Sequence, residues 1–204
     1  MTDCYCLWCG RSLRRESSLK HMFYVDDVLC AACRNSISYA PKKIMIDGIR
    51  VDSLFVYEGL IREMIIQYKE LSDEALFPAF MYPYIRELRK RYRGYTIVSI
   101  PSSAANNEKR GFKAVDKMYE ILDLPGVEMF EKKDDYDQKK TDFRKRHEIR
   151  KHLVYKPAAV RNNRVLLVDD ILTTGETIKA AYSFLAGSGY RIKVMTVCYN
   201  KRFL

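Results

Sequence analysis

Residues 165–178 read VLLVDDILTTGETI: four apolar residues run straight into two carboxylates, then into threonines around a single glycine. A continuously apolar tetrad suits a strand buried on both faces of a parallel sheet. Ile178, Ala181, Tyr182 and Leu185 recur at helical spacing, so a helix begins near Gly175 or Glu176. The loop Thr173, Thr174, Gly175, Glu176, Thr177 then lies at a helix N-terminus, where free backbone N–H groups and the dipole favour an anion. Gly175 would let the backbone approach a ligand, and the three threonines add hydroxyls, a nest suited to one phosphate. The lysine of the G-x4-G-K-[ST] phosphate loop is missing, as are the extra glycines of a dinucleotide fingerprint. Asp169 and Asp170 would repel a phosphate, so they face another part of the ligand. Vicinal sugar hydroxyls, or a Mg²⁺ ion bridging to further phosphate, are the natural targets.

Outward from this stretch, residues 191–199 read as another strand and 95–100 as a compact apolar strand that breaks at Pro101 into a Ser/Ala/Asn loop. Residues 108–122 open with a basic glycine turn and continue as a helix with Phe112, Val115, Met118, Tyr119 and Leu122 on one side. A short strand is expected near 127–130, and a long charged loop over 132–164. Earlier, alternating residues around Asp47-Gly48 signal a hairpin. Ile61, Met64, Ile65 and Tyr68 mark a helix over 60–71. A further helix is expected from Ser72 or Asp73 to about Tyr92, its first half disturbed by Pro78 and Pro83. Strand, loop, helix, strand repeated after residue 95 implies an α/β fold with a parallel sheet flanked by helices. Ligands of such sheets bind beyond the carboxyl ends of the strands.

The 204 residues are 48% hydrophobic and 30% charged, ordinary globular composition with room for a sizeable core. No apolar run of signal-peptide or membrane-spanning length is present, so no membrane insertion is expected and the location is taken as cytoplasmic. The net charge of +10 is unevenly spread. Residues 138–164 hold ten Lys/Arg against Asp142 and Glu148, and RELRKRYR (86–93) holds five against Glu87. Such blocks suit a phosphate-rich partner, nucleic acid or polyphosphate, or else form a solvated basic face.

Five of the six cysteines lie in the first 33 residues. Cys6 and Cys9 form one C-x2-C and Cys30 and Cys33 a second, with 20 residues between them. That is the spacing of a four-thiolate structural zinc site, in which two knuckles complete a tetrahedron. Cys4 could be spare or could replace Cys6. His21 lies inside the loop, and Trp8 serves either a core or a contact. Cys198 reads as buried and inert. The expected division is a zinc-binding module over 1–41 and an α/β domain over 42–204.

The 165–178 stretch resembles the 5-phosphoribosyl 1-pyrophosphate (PRPP) motif of type I phosphoribosyltransferases. The whole chain resembles the ComF family of bacterial competence proteins. The four-cysteine module, VYEGLIREMIIQYK (56–69), IPSSAANNEKRGF (100–112) and the last motif stand in that family's order. The resemblance implies a type I phosphoribosyltransferase-like fold with an N-terminal zinc module. It implies that Asp169 and Asp170 contact the ribose hydroxyls, that Thr173 to Thr177 hold the 5′-phosphate, and that the loop after Pro101 lies near the pyrophosphate. Lys109, Arg110, Lys139, Lys140 and Arg146 are candidates for pyrophosphate or DNA contacts. Lys113 and Ala114 follow Arg110-Gly111-Phe112 where the family usually has Asn-Gln, and Ile149 stands where Asn is expected. The implied function is PRPP binding, with Mg²⁺, in the uptake of transforming DNA. The implied partners are single-stranded DNA and a DNA-translocating competence helicase, with peripheral membrane association through the uptake complex. The alternative is a metabolic transferase moving phosphoribosyl from PRPP to a base or amine.

Overall fold

Asp47 and Gly48 both take left-handed backbone, φ 47° and 81°, the geometry of a two-residue hairpin turn. They join β1 (Tyr39–Ile46) to β2 (Ile49–Val56) in an antiparallel pair. The chain is described by a computed structural model over residues 5–13, 28–132 and 153–203. β2 pairs in parallel with β7 (Arg191–Tyr199), β7 with β6 (Arg164–Leu172), and β6 with β3 (Thr96–Ser99). The sheet order is β1-β2-β7-β6-β3, four parallel strands with one antiparallel edge. A small antiparallel pair, β4 (Phe130–Lys132) with β5 (Leu153–Tyr155), stands apart from it.

Helices cover both faces, as continuously apolar strands require. On one face Leu166 and Val168 of β6 share a buried cluster with α2 (Gly59–Glu70) and α5 (Ala114–Glu120), through Met64, Ile65, Val115 and Met118. On the other, Val165 and Leu167 meet α6 (Glu176–Gly187) through Ile178, Ala181 and Leu185. The first cluster also takes in Cys6, Leu29, Cys30 and Cys33, so the cysteine segment, with α1 (Ala31–Asn35), joins the core beside Phe80 and Met81. Among the described residues no helix is long and apolar enough to cross a membrane.

Three segments differ from the sequence reading. The helix expected from residue 72 is two 3-10 segments, Glu74–Phe80 and Tyr82–Tyr84, followed by α3 (Ile85–Arg91). Pro78 and Pro83 remove amide donors that an α-helix there would need. The Ser/Ala/Asn stretch is helical: Ser103 caps α4 (Ala104–Arg110) by accepting from the Asn106 amide at 3.3 Å, and Gly111 closes it at φ 84°. β6 does not stop at Val168 but carries both aspartates and runs to Leu172. The long charged loop falls largely on residues 133–152, outside the described residues; β5 occupies part of its remainder.

The hairpin tip docks on the start of α6. Lys179 Nζ reaches Asp47 Oδ2 at 2.9 Å. Gly175 stands at φ +78°, and a Cβ there would lie 2.7 Å from Ile46 Cδ1. The glycine thus answers a protein neighbour: the close approach its small size permits is that of Ile46. Gly175→Ala adds left-handed strain, with the Ile46 methyl able to move aside, and should cost about 1–2 kcal/mol, measured as a lower urea midpoint at unchanged slope.

Candidate functional site

β3 ends at Ser99, opposite Val168, and the Ile100 amide makes the last link across to the Val168 carbonyl at 2.9 Å. Pro101 then turns the chain away while β6 continues beside β7, pairing Asp169↔Thr196 and Leu172↔Tyr199. Asp169 and Asp170 therefore emerge from the sheet where one flank has opened. They line a cavity of about 460 Å³ together with Lys69, Ser102, Arg110 and Thr177. This is the carboxyl edge of the parallel strands, where the fold class places its ligands.

The acid pair is held from several sides. The Asp170 amide donates to Asp169 Oδ1 at 2.9 Å, and the Tyr119 hydroxyl donates to the Asp169 carbonyl at 2.9 Å. Lys69, in the last turn of α2, ion-pairs with the buried Asp170 carboxylate. Burial first, then the neighbouring Asp170 charge, push the Asp169 carboxyl well above the usual range, and Lys69 opposes them. Burial also raises Cys198, which lies fully buried in β7 near Asp170.

Arg110 is buried on the cavity wall. Its Nε donates to the Lys69 carbonyl at 2.6 Å, while its Nη1 is buried with no hydrogen-bond partner. A buried guanidinium nitrogen without a partner is an uncommon state, which an anionic oxygen reaching it would relieve. A second cavity, of about 410 Å³, lies around Asp116 and Glu128 and shares the Ile100–Pro101–Ser102 turn, but holds neither aspartate of the pair.

Of the residues singled out in the sequence, Asp169, Asp170, Thr177 and Arg110 come together around one cavity. Thr173, Thr174 and Lys109 are exposed near it, and Thr174 Oγ1 accepts from the Glu176 amide at 3.4 Å. Glu176 is ion-paired with Lys179. Lys139, Lys140, Arg146 and Cys4 lie outside the described residues. Sequence reasoning missed Lys69 as a site residue, although it is the last residue of the quoted stretch 56–69. The signal was a cation ending an amphipathic helix, which has many innocent explanations.

The cysteines form a second centre. The sulfurs of Cys6, Cys9, Cys30 and Cys33 all lie within 4.8 Å of one another, and Cys9 Sγ stands 3.7 Å from Cys30 Sγ. Four thiolates at about 2.3 Å from one zinc ion are about 3.8 Å apart, so donor set and spacing fit such an ion. The first knuckle is closed by Cys6 N–H to Arg11 O at 2.8 Å and Gly10 N–H to Cys6 O at 2.9 Å. Leu7 N–H to Val28 O at 2.9 Å ties it to the second. A backbone hydrogen bond at Arg11 lowers Cys9 to about 7, whereas burial raises Cys30 and Cys33. Trp8 packs partly buried against the core.

Residues 108–202, which include the acid pair and the threonine loop, match the phosphoribosyl transferase domain family. Over 187 residues, 92% of this chain, the sequence is 24% identical to the competence protein ComFC of Streptococcus pneumoniae and covers 83% of that protein. The chain is therefore similar to ComFC along most of its length, and residues 108–202 carry the phosphoribosyl transferase domain match. It is also 27% identical over 161 residues to the adenine phosphoribosyltransferase of Campylobacter jejuni subsp. doylei, covering 78% of this chain and 82% of that one. Among solved structures, a hypoxanthine phosphoribosyltransferase from Staphylococcus aureus aligns with a TM-score of 0.39 at 16% identity, over 64% of this chain and 66% of that one. For the cysteine centre of this ComFC-like chain, elemental analysis is expected to find one zinc ion per protein. Cys33→Ala should abolish it and lower the melting temperature by about 5 °C or more, because Cys33 is also a core residue.

Proposed function

We propose that this ComFC-like protein binds PRPP at the cavity at the end of β6, with Mg²⁺ accompanying the pyrophosphate, and holds a structural zinc ion at Cys6, Cys9, Cys30 and Cys33. The observation that carries the reading is one cavity lined by an acid pair, a threonine of the loop and a buried arginine with an unfilled donor. Carboxylates accept from vicinal hydroxyls, and cationic donors take phosphoryl oxygens. A phosphorylated sugar is the ligand that presents both groups at once. Asp169 and Asp170 take the ribose hydroxyls, the Thr173–Thr177 segment takes the 5′-phosphate, and Arg110 faces the pyrophosphate. Oxygen donors at the acid pair suit Mg²⁺ chemistry.

The biological setting proposed is natural competence, supported by likeness along most of the chain to a protein named for it. Single-stranded DNA would meet the basic surface of α3 and the turn after it, where Lys90 and Arg93 are exposed. The cysteine module, which exposes Tyr5 and Cys9, would dock a DNA-translocating helicase. The second reading is transfer of phosphoribosyl from PRPP to a base or amine, with displacement of pyrophosphate from C1 of the ribose. It is supported by the likeness to an adenine phosphoribosyltransferase over 78% of the chain.

Calorimetric titration with PRPP and Mg²⁺ tests the first claim. The wild type should bind, and Asp169→Asn with Asp170→Asn should weaken binding by about tenfold or more, since each replacement weakens a charge-assisted hydrogen bond. No binding, or binding indifferent to the double substitution, removes the reading. Incubating the protein with PRPP and a panel of nucleobases decides the second claim by release of pyrophosphate. DNA contact predicts an affinity for single strands that falls steeply with salt.

A further inference from the structure

Two adjacent carboxylates make an awkward wall for a ligand rich in phosphate. At Asp170 the structure supplies a cation. Lys69 arrives from α2, far away in sequence, with its ammonium on Asp170 Oδ2. The Asp170 side chain is only 10% exposed and that of Lys69 23%, so the pair sits inside the cavity wall. Lys69 is pinned at its other end as well, because Arg110 Nε donates to its carbonyl at 2.6 Å. Among the described residues Lys69 is the one cation ion-paired with Asp170. Arg110 spends its Nε on the backbone, and Lys132, across the cavity on β4, pairs with neither aspartate.

We infer that Lys69 is a positioning residue for the ligand site: it fixes the Asp170 carboxylate and cancels its charge, so that the acid pair can accept sugar hydroxyls without repelling the phosphates on either side. This rests on the PRPP reading above. Lys69 acts through Asp170, with the order of contact Arg110, Lys69, Asp170, ligand. Removing the lysine alone leaves a buried charge without its partner, the costly half of breaking a pair. Removing the charge on Asp170 removes the reason for the lysine.

A double-mutant cycle on PRPP affinity tests the inference, with Lys69→Met, Asp170→Asn and their combination measured beside the wild type. Lys69→Met alone should weaken PRPP binding by about tenfold, while in the Asp170→Asn background it should change binding by less than about twofold. Lys69→Arg, which keeps the charge, should restore affinity to within about threefold of wild type. Equal losses in both backgrounds would mean that Lys69 touches the ligand itself and would overturn the inference. So would a Lys69→Arg protein as weak as Lys69→Met. If wild type takes no PRPP, the underlying reading falls instead, a result visible before any variant is made. Lys69→Gln, closer in shape and polarity, serves the same cycle should the methionine variant lose its folded circular-dichroism signature.

Discussion

Two neighbouring carboxylates at the end of a buried strand are expensive to place, and much of this molecule can be understood as what makes them tolerable. Moving a carboxylate out of water without a partner costs several kcal/mol. β6 meets that cost by outrunning β3, so that the pair leaves the sheet where a cavity has opened. The remaining cost is offset by Lys69, by the Asp170 amide and by the carbonyl anchor that Tyr119 makes beneath Asp169. α2 and α5 therefore cover one face of the sheet and also deliver the groups that let the strand end in charge.

The same face carries the cysteine segment. Cys6, Cys30 and Cys33 share a buried cluster with Leu54, Phe80 and Met81, and that cluster extends to Met64 and Ile65 of α2. A metal ion closing the four sulfurs would tighten the same cluster into which α2, the helix that presents Lys69, is packed. No described contact joins the two centres directly. Their relation is one of shared packing, the kind that transmits a change in volume.

What the sequence revealed followed the range of the forces involved. The hairpin at Asp47-Gly48, the amphipathic helix ending at Glu70 and the strand of β7 were legible because turn chemistry and periodicity are local. The four cysteines were legible because a centre able to hold a metal needs its sulfurs in closely spaced pairs along the chain. The stretch 101–107 misled because Ser, Ala and Asn suit a loop, and the Ser103 cap that makes them helical costs a single residue to write. The aspartates looked like the end of a strand because charge rarely continues one; β6 continues because β7 still pairs with it. The Lys69–Asp170 pair joins residues 101 apart, and Arg110 reaches back 41 to Lys69. Nothing short-range announces either contact.

The hairpin tip has a further consequence. Ile46 fills the space beside Gly175, and Asp47 holds Lys179 one turn into α6. The segment that would cradle a phosphate is thus shaped from behind by a β-turn on the opposite side of the sheet order, through β1 at the edge. Lengthening that turn by a residue would leave the sheet ladder intact and yet move the floor of the cradle. The tolerance of this protein to change at an exposed edge is therefore set by the helix start that the edge packs against.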